Sequence, residues 1–292
     1  MEYQVTHTTN YIYHQPVSLC HNVAKILIRN ISGQVCKQTS LVITPEPDVL
    51  HEYDDYFGNR VIYFAVQKAH KQLTVTVKSQ VEKAIQSIPA LSFYKDTPWE
   101  SVKKLVLEPG DENFEARQYF YETAFTPVTD DILQYALLSF TPGRSIFEAA
   151  KDLMHRIYND FEFDPGFTTL ATPLSKVMLA RKGVCQDFAH VAIACMRAMG
   201  LPARYVSGYL ETLPPKGKEK LTGADASHAW FSVFIPNTGW IDFDPTNNIM
   251  PAMQHIIIGW GRDYGDITPL KGVIQSSGAH KLTVAVDVRR LD

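Results

Sequence analysis

Three short segments carry residues that can do chemistry together. Gly183-Val184-Cys185-Gln186-Asp187 leads into Phe188, Ala192, Cys195 and Met199, which are spaced as one face of a helix, so Cys185 falls in the first turn. Unpaired backbone N–H groups and the positive end of the helix dipole favour negative charge there, and a nearby histidine adds to that stabilisation of a thiolate. Ser227-His228-Ala229-Trp230 begins a strand, with His228 on the face of Trp230, Ser232 and Phe234. In Asp242-Phe243-Asp244-Pro245-Thr246 the proline holds Asp244 extended at a strand end. Taken singly, these are a core thiol, a structural histidine and a capping carboxylate. In this order they supply the nucleophile, base and orienting carboxylate of a Cys-His-Asp triad.

The elements that must position them can be read from periodicity. Gly200 and Pro202 end the cysteine helix, which spans about Val184 to Met199. Strands follow at Ala203–Leu210, His228–Ile235 and Gly239–Phe243, and Leu282, Val284, Val286 and Val288 alternate as one more. Upstream, Ser145 with Glu148 three residues on caps an amphipathic helix through Ile146, Ala150, Leu153 and Ile157, and Thr129-Asp130-Asp131 starts another. Residues 1–84 read as short strands with turns such as Phe57-Gly58-Asn59, which favours an antiparallel sandwich because no helical crossovers separate them. The expected fold is α+β: an N-terminal β-sandwich-like domain over 1–84, a helical linker region over 85–144 and a catalytic domain of helices packed on an antiparallel sheet over 145–292. AHKQLTV at 69 and AHKLTV at 279 look alike, which two amphipathic strands suffice to explain.

Composition excludes several classes. With 45% hydrophobic and 20% charged residues the chain folds. Its 28 Lys and Arg against 31 Asp and Glu leave no basic excess for nucleic acid or an anionic membrane. No apolar run is long enough to span a bilayer, and the N-terminus has no leader-like pattern, so a cytoplasmic location is the default expectation. Four cysteines, at 20, 36, 185 and 195, show neither a disulfide framework nor a paired zinc spacing. Cys185 and Cys195 lie about 15 Å apart by helical rise, too far for a disulfide.

The segments GVCQDFAHVAIACMRAMGLPARYVSGY, SHAW and GWIDFDPT resemble the three-part signature of the transglutaminase-like superfamily, papain-related enzymes that include bacterial candidate cysteine proteases. The resemblance is close over roughly 145 to 250, GRDYGDITP at 261–269 is similar to a further motif of the bacterial members, and residues 1–84 resemble their N-terminal region. It implies a papain-like catalytic fold, with Cys185 as nucleophile, His228 as general base and acid, and Asp244 as the orienting residue. Strand parity leaves Asp242 open beside Asp244; the resemblance selects Asp244. Animal crosslinking transglutaminases have tryptophan after the cysteine where this chain has Gln186, so the expectation leans to hydrolysis.

The expected activity is therefore that of a thiol hydrolase, a protease or amidase, which forms a thioester and needs no cofactor or metal, with a protein or peptide as substrate. Acyl transfer to an amine and a non-catalytic protein-binding module are the alternatives. One oxyanion donor is expected to be the Cys185 backbone N–H. A metal set of Cys185, Asp187, His190 and His228 is disfavoured because Cys185 and His190 are about 140° apart around the helix. Asp187 and His190, at i and i+3, read instead as a local pair. Arg262, Asp263 and Tyr264 either line the site or tie the last strands together, and the Pro-, Gly- and Lys-rich stretch from Glu211 to Ser227 reads as a loop governing access.

Overall fold

Alternation of residue type along the first seventeen residues builds the strand on which the N-terminal half is organised. The computed structural model describes residues 1–84, 97–212, 226–275 and 278–291. Strand β1 (Glu2–Val17) buries Tyr3, Val5, His7 and Thr9 and leaves the intervening residues half-exposed. It pairs with β6 (His70–Lys83), which pairs in turn with β3 (Gln34–Thr44). A second sheet contains β2 (Leu19–Ala24), β4 (Val49–Asp54) and β5 (Arg60–Val66). Leu73, Val75 and Val77 of the first sheet pack on Cys20, Ile62, Phe64 and Val66 of the second. The expected antiparallel sandwich is present.

Both sheets are completed from the far end of the chain. Strand β13 (Leu270–Gln275) pairs with β2, and β14 (His280–Arg290) pairs with β1 along most of its length, giving orders β14-β1-β6-β3 and β13-β2-β5-β4. The expectation of one catalytic unit over 145–292 is corrected in this respect: its last two strands belong to the sandwich. The two look-alike segments flank β1 in equivalent register, since Leu73 and Leu282 both lie opposite Tyr11, and Val75 and Val284 both lie opposite Thr9.

Between these strand sets come helices α1 (Trp99–Leu105), α2 (Asp111–Arg117), α3 (Asp130–Leu137), α4 (Ile146–Asp160), α5 (Leu174–Ala180) and α6 (Cys185–Ala198). Two short strands, β7 (Glu162–Phe163) and β8 (Lys182–Gly183), pair in parallel. Ser145 caps α4 by accepting the Glu148 N–H, as its sequence implies, whereas the Thr129 hydroxyl turns to the Asp131 carboxylate and leaves the α3 amides alone.

The sheet of the second half has the order β11 (Gly239–Phe243), β10 (Ala226–Ile235), β9 (Ala203–Leu210), β12 (His255–Gly261), all antiparallel. Helix α6 lies across it in one core with α3, α4 and α5. Its sequence shows one apolar stripe, yet every residue from Asp187 to Arg197 is buried, as befits a helix covered on all sides. Arg197 is tolerated there because its guanidinium donates to the carbonyls of Tyr119, Ala203 and Arg262 and to the Thr126 hydroxyl. The outer edge of β12 is covered by two side-chain amides of the sandwich. Gln34 brackets Ile257, and Asn59 brackets Trp260, each pairing with both the backbone N–H and C=O.

Candidate active site

The start of α6 is built by a close approach of backbone and carboxylate. Arg181 turns the chain in the left-handed region at φ 55°, and Val184 is extended at φ −120°, ψ 179°, before the helix begins at Cys185. Asp187 Oδ2 accepts the Val184 N–H at 2.8 Å and the Thr168 hydroxyl at 2.7 Å. A Cβ on Gly183 would meet that oxygen at 2.8 Å and the Asp187 Cβ at 2.9 Å, so this position requires glycine. Burial pushes the Asp187 carboxyl pKa up, and these two donors oppose it.

Asp187 therefore serves the helix start and does not pair with His190. The buried His190 stacks on Phe125, with ring centroids 5.3 Å apart, and its Nε2 accepts the Tyr264 N–H at 3.2 Å. Burial, with the Arg197 charge adding to it, lowers its pKa to about 3, so the ring is neutral. The expected local pair is corrected because the Asp187 carboxylate is taken up by Val184 and Thr168 and the His190 ring by Tyr264 and Phe125.

His228 and Asp244 meet at 2.7 Å, Nε2 to Oδ2. Asp244 is fully buried at the end of β11, and five donors converge on it: the backbone N–H groups of Thr246 and Asn247 on Oδ1, and His228, His255 and the Asn247 side chain on Oδ2. Burial opposes its charge, but the hydrogen bonds from His228 and His255 and the remaining donors outweigh that and hold the carboxyl far below the usual carboxylate range. Burial likewise opposes the charge on His228, yet hydrogen bonds to Asp244 and Cys185 raise its pKa above the ordinary histidine value. With Nε2 engaged by the carboxylate, Nδ1 is the nitrogen left for the Cys185 sulfur. The structure thus joins His228 to Asp244 directly and sets Cys185 in the lining of the same cavity as His228.

Sequence reasoning missed His255 and Asn247. His255 stands on β12, two strands from His228, yet their ring centroids are 6.0 Å apart and Trp230 packs edge-on to His255. Gly208 on the intervening β9 lies directly opposite His228 and makes this possible: a Cβ there would strike the Trp230 ring at 2.5 Å. His228, Asp244 and His255 also have ligand atoms within 4.8 Å of one another. A metal there would displace the two N–H donors already bound to one oxygen and take the His228 nitrogen that the carboxylate orients.

Cys185 and His228 open onto a cavity of about 270 Å³ whose far wall comes from the sandwich: His7, Thr9 and Tyr11 of β1, and Leu282 and Val284 of β14. Tyr264 lines it too, whereas Arg262 pairs with Asp266 and Asp263 accepts the Gly265 N–H, so the GRDYGD segment both lines and ties. Asp242 lines a different cavity, of about 320 Å³, with Trp240 and Lys83. Cys20 and Cys195 are fully buried, and Cys36 is half-buried among Thr39 and the Gln38 carbonyl. Of the Glu211–Ser227 stretch, residues 213–225 lie outside the described residues.

Comparison with known proteins adds two family matches: residues 3–82 match the bacterial transglutaminase-like N-terminal region, and residues 139–245 match the transglutaminase-like superfamily. An uncharacterized protein of Mycobacterium tuberculosis is 40% identical over 297 residues, covering 98% of this chain and 92% of that one. A protein-glutamine gamma-glutamyltransferase of Pseudomonas aeruginosa is 38% identical over 72 residues, 24% of this chain and 11% of its own. The solved structure of a candidate cysteine protease of Cytophaga hutchinsonii superimposes with a TM-score of 0.79 at 23% identity, covering 100% of this chain and 91% of that one, and so shares the fold.

Proposed function

This chain belongs to the transglutaminase-like superfamily, and from that premise we propose that it is a thiol hydrolase acting on an amide or ester carbonyl of a protein or peptide. The observation that carries the reading is the imidazole of His228, hydrogen-bonded to Asp244 and lining, together with Cys185, one cavity at a helix N-terminus. His228 takes the Cys185 thiol proton, the sulfur attacks the carbonyl carbon, and the oxyanion that forms is met by the Cys185 N–H, one of the first helical amides that lack an intrahelical acceptor. His228 gives its proton to the departing amine or alcohol as the C–N or C–O bond breaks, leaving a thioester. It then takes a proton from water, whose oxygen attacks the thioester; the acid leaves and the thiol is restored. Asp244 keeps the imidazole oriented and balances its charge throughout.

Water is favoured as acceptor because Gln186 follows the cysteine and the sulfur faces a cavity of about 270 Å³, room for several waters. The 72-residue kinship with the Pseudomonas transferase supports a second reading, acyl transfer to an amine. One experiment separates them: an acyl substrate is supplied with excess primary amine, and acid is measured against new amide for the wild type and Cys185→Ala. Acid as the main product, lost in the variant, supports hydrolysis. Amide as the main product at modest amine concentration makes the enzyme a transferase, and turnover that survives in Cys185→Ala removes the thiol mechanism altogether.

A further inference from the structure

The two look-alike segments on either side of β1 differ in one respect. Leu73 and Val75 are fully buried in the sandwich core, whereas their counterparts Leu282 and Val284, in the same register against Tyr11 and Thr9, are 48% and 49% exposed. Farther along β14 the same face is covered again, as Val286 and Val288 pack with Tyr209 and Ile256 of the catalytic sheet. The uncovered apolar step between these two covered stretches is the wall that faces Cys185 and His228. No Asp, Glu, Lys or Arg lines this cavity among the described residues.

We infer that Leu282, Val284 and Tyr11 form the subsite for an uncharged apolar side chain on the acyl part of the substrate, so the sandwich selects what the cysteine attacks. The inference rests on the thiol-hydrolase reading and names its substrate class. The acyl part stays bonded to Cys185 sulfur in the thioester, so it is the part that the cavity around that sulfur holds. A leucine or phenylalanine side chain would cover the exposed methyl groups of β14 and complete a face that is otherwise continuous from the sandwich core to the domain contact. An aspartate or lysine would lose its hydration against these apolar side chains, and no Asp, Glu, Lys or Arg of the described lining would pair with it.

The test uses peptidyl vinyl sulfones that differ only in the side chain next to the electrophile, with iodoacetamide, which needs no subsite, as the control. Leucine and phenylalanine probes should modify Cys185 at least about tenfold faster than aspartate and lysine probes. Leu282→Asp and Val284→Asp should each remove most of that preference, read as each probe's rate relative to the iodoacetamide rate of the same variant; Leu282→Thr guards against a misfolded aspartate variant. Equal rates for all probes, or a preference that survives both substitutions, overturns the subsite while leaving the nucleophile in place. If iodoacetamide fails to modify Cys185, the thiol reading falls, and a second measurement still decides the subsite. Matching peptide amides are titrated into Cys185→Ala protein, and the methyl resonances of Leu282 and Val284 are followed. Saturable shifts with the apolar peptides alone support the subsite; no shifts, or the same shifts with charged peptides, overturn it.

Discussion

His255 donates from Nε2 to Oδ2 of Asp244 across 3.1 Å, the same oxygen that His228 approaches to 2.7 Å. A carboxylate that orients one imidazole is thus itself oriented by a second. Because Asp244 is ionised and accepts only, His255 must carry its proton on Nε2 in order to serve it. Removing that donor leaves a fully buried carboxylate with one fewer partner and more freedom to turn away from His228.

His255→Ala is therefore expected to lower kcat by about 10- to 100-fold, the worth of one hydrogen bond to a charged group, with KM little changed. His255→Gln, whose amide can donate to the same oxygen, should recover part of the loss. A merely structural role would lower the amount of folded protein and leave kcat per folded molecule intact. Activity normalised to folded protein, together with the alkaline limb of the pH profile, distinguishes the two.

Asp244→Asn should cost more, about 10²- to 10⁴-fold in kcat, because an amide nitrogen facing His228 and His255 presents donor to donor and favours the wrong tautomer. Asp242→Asn should cost less than about tenfold, since Asp242 lines the other cavity and does not touch His228. Rates for both variants, measured on material with native circular dichroism, check the assignment. A larger loss at Asp242 would reverse it.

How much of this could be read from the sequence depends on range. The α6 helix, with its stop at Gly200 and Pro202, and the strands Ala203–Leu210 and Gly239–Phe243 are local signals of period and punctuation, and the structure places them there. Cys185, His228 and Asp244 stand out because each has a distinctive neighbour: a glycine before the helix, a tryptophan two residues on, a following proline. His255 has no such mark. It opens the apolar run His-Ile-Ile-Ile, and its approach to Asp244 depends on a strand order that no local signal carries. The destination of β14 is equally non-local, since alternation predicts a strand and one buried face but not its partner. The echo of AHKQLTV in AHKLTV was the available signal, because two strands that flank the same partner in the same register meet the same demands.

Iodoacetamide at about pH 6 should modify Cys185 first, because it stands in the first helical turn beside His228 and lines the open cavity. Cys195 is fully buried, and burial pushes its thiol pKa up to about 12. Cys20 is fully buried in the sandwich core, and Cys36 is occupied with Thr39. Mass spectrometry of the folded protein should find one adduct at Cys185 where the denatured chain gives four. Even labelling of Cys36 and Cys185 would remove the basis for singling out this thiol.

Acid should destabilise the fold well before the carboxylates titrate, because two histidines are buried in the neutral state. His7 lies between the Thr9 and Tyr209 hydroxyls, and burial lowers its pKa to about 4; His190, lowered to about 3, stands on α6 with its ring against Phe125 and Tyr205. Both folded values fall below the unfolded value of about 6.5, so between these limits the unfolded chain binds protons that the folded chain does not. Stability from these groups is therefore fully present above about pH 6.5 and falls as pH drops toward the folded values, with a limiting slope of about 1.4 kcal/mol per pH unit for each histidine. The raised pKa of His228 acts in another window: its contribution is present below about pH 6.5 and declines as pH rises from there toward its folded value, so it does not mask the effect. Urea unfolding at about pH 6 and pH 5 should differ by roughly 2 kcal/mol, and His7→Gln or His190→Gln should each remove about half of that difference. An unfolding midpoint unchanged across that interval would mean that neither imidazole is held neutral in the folded protein.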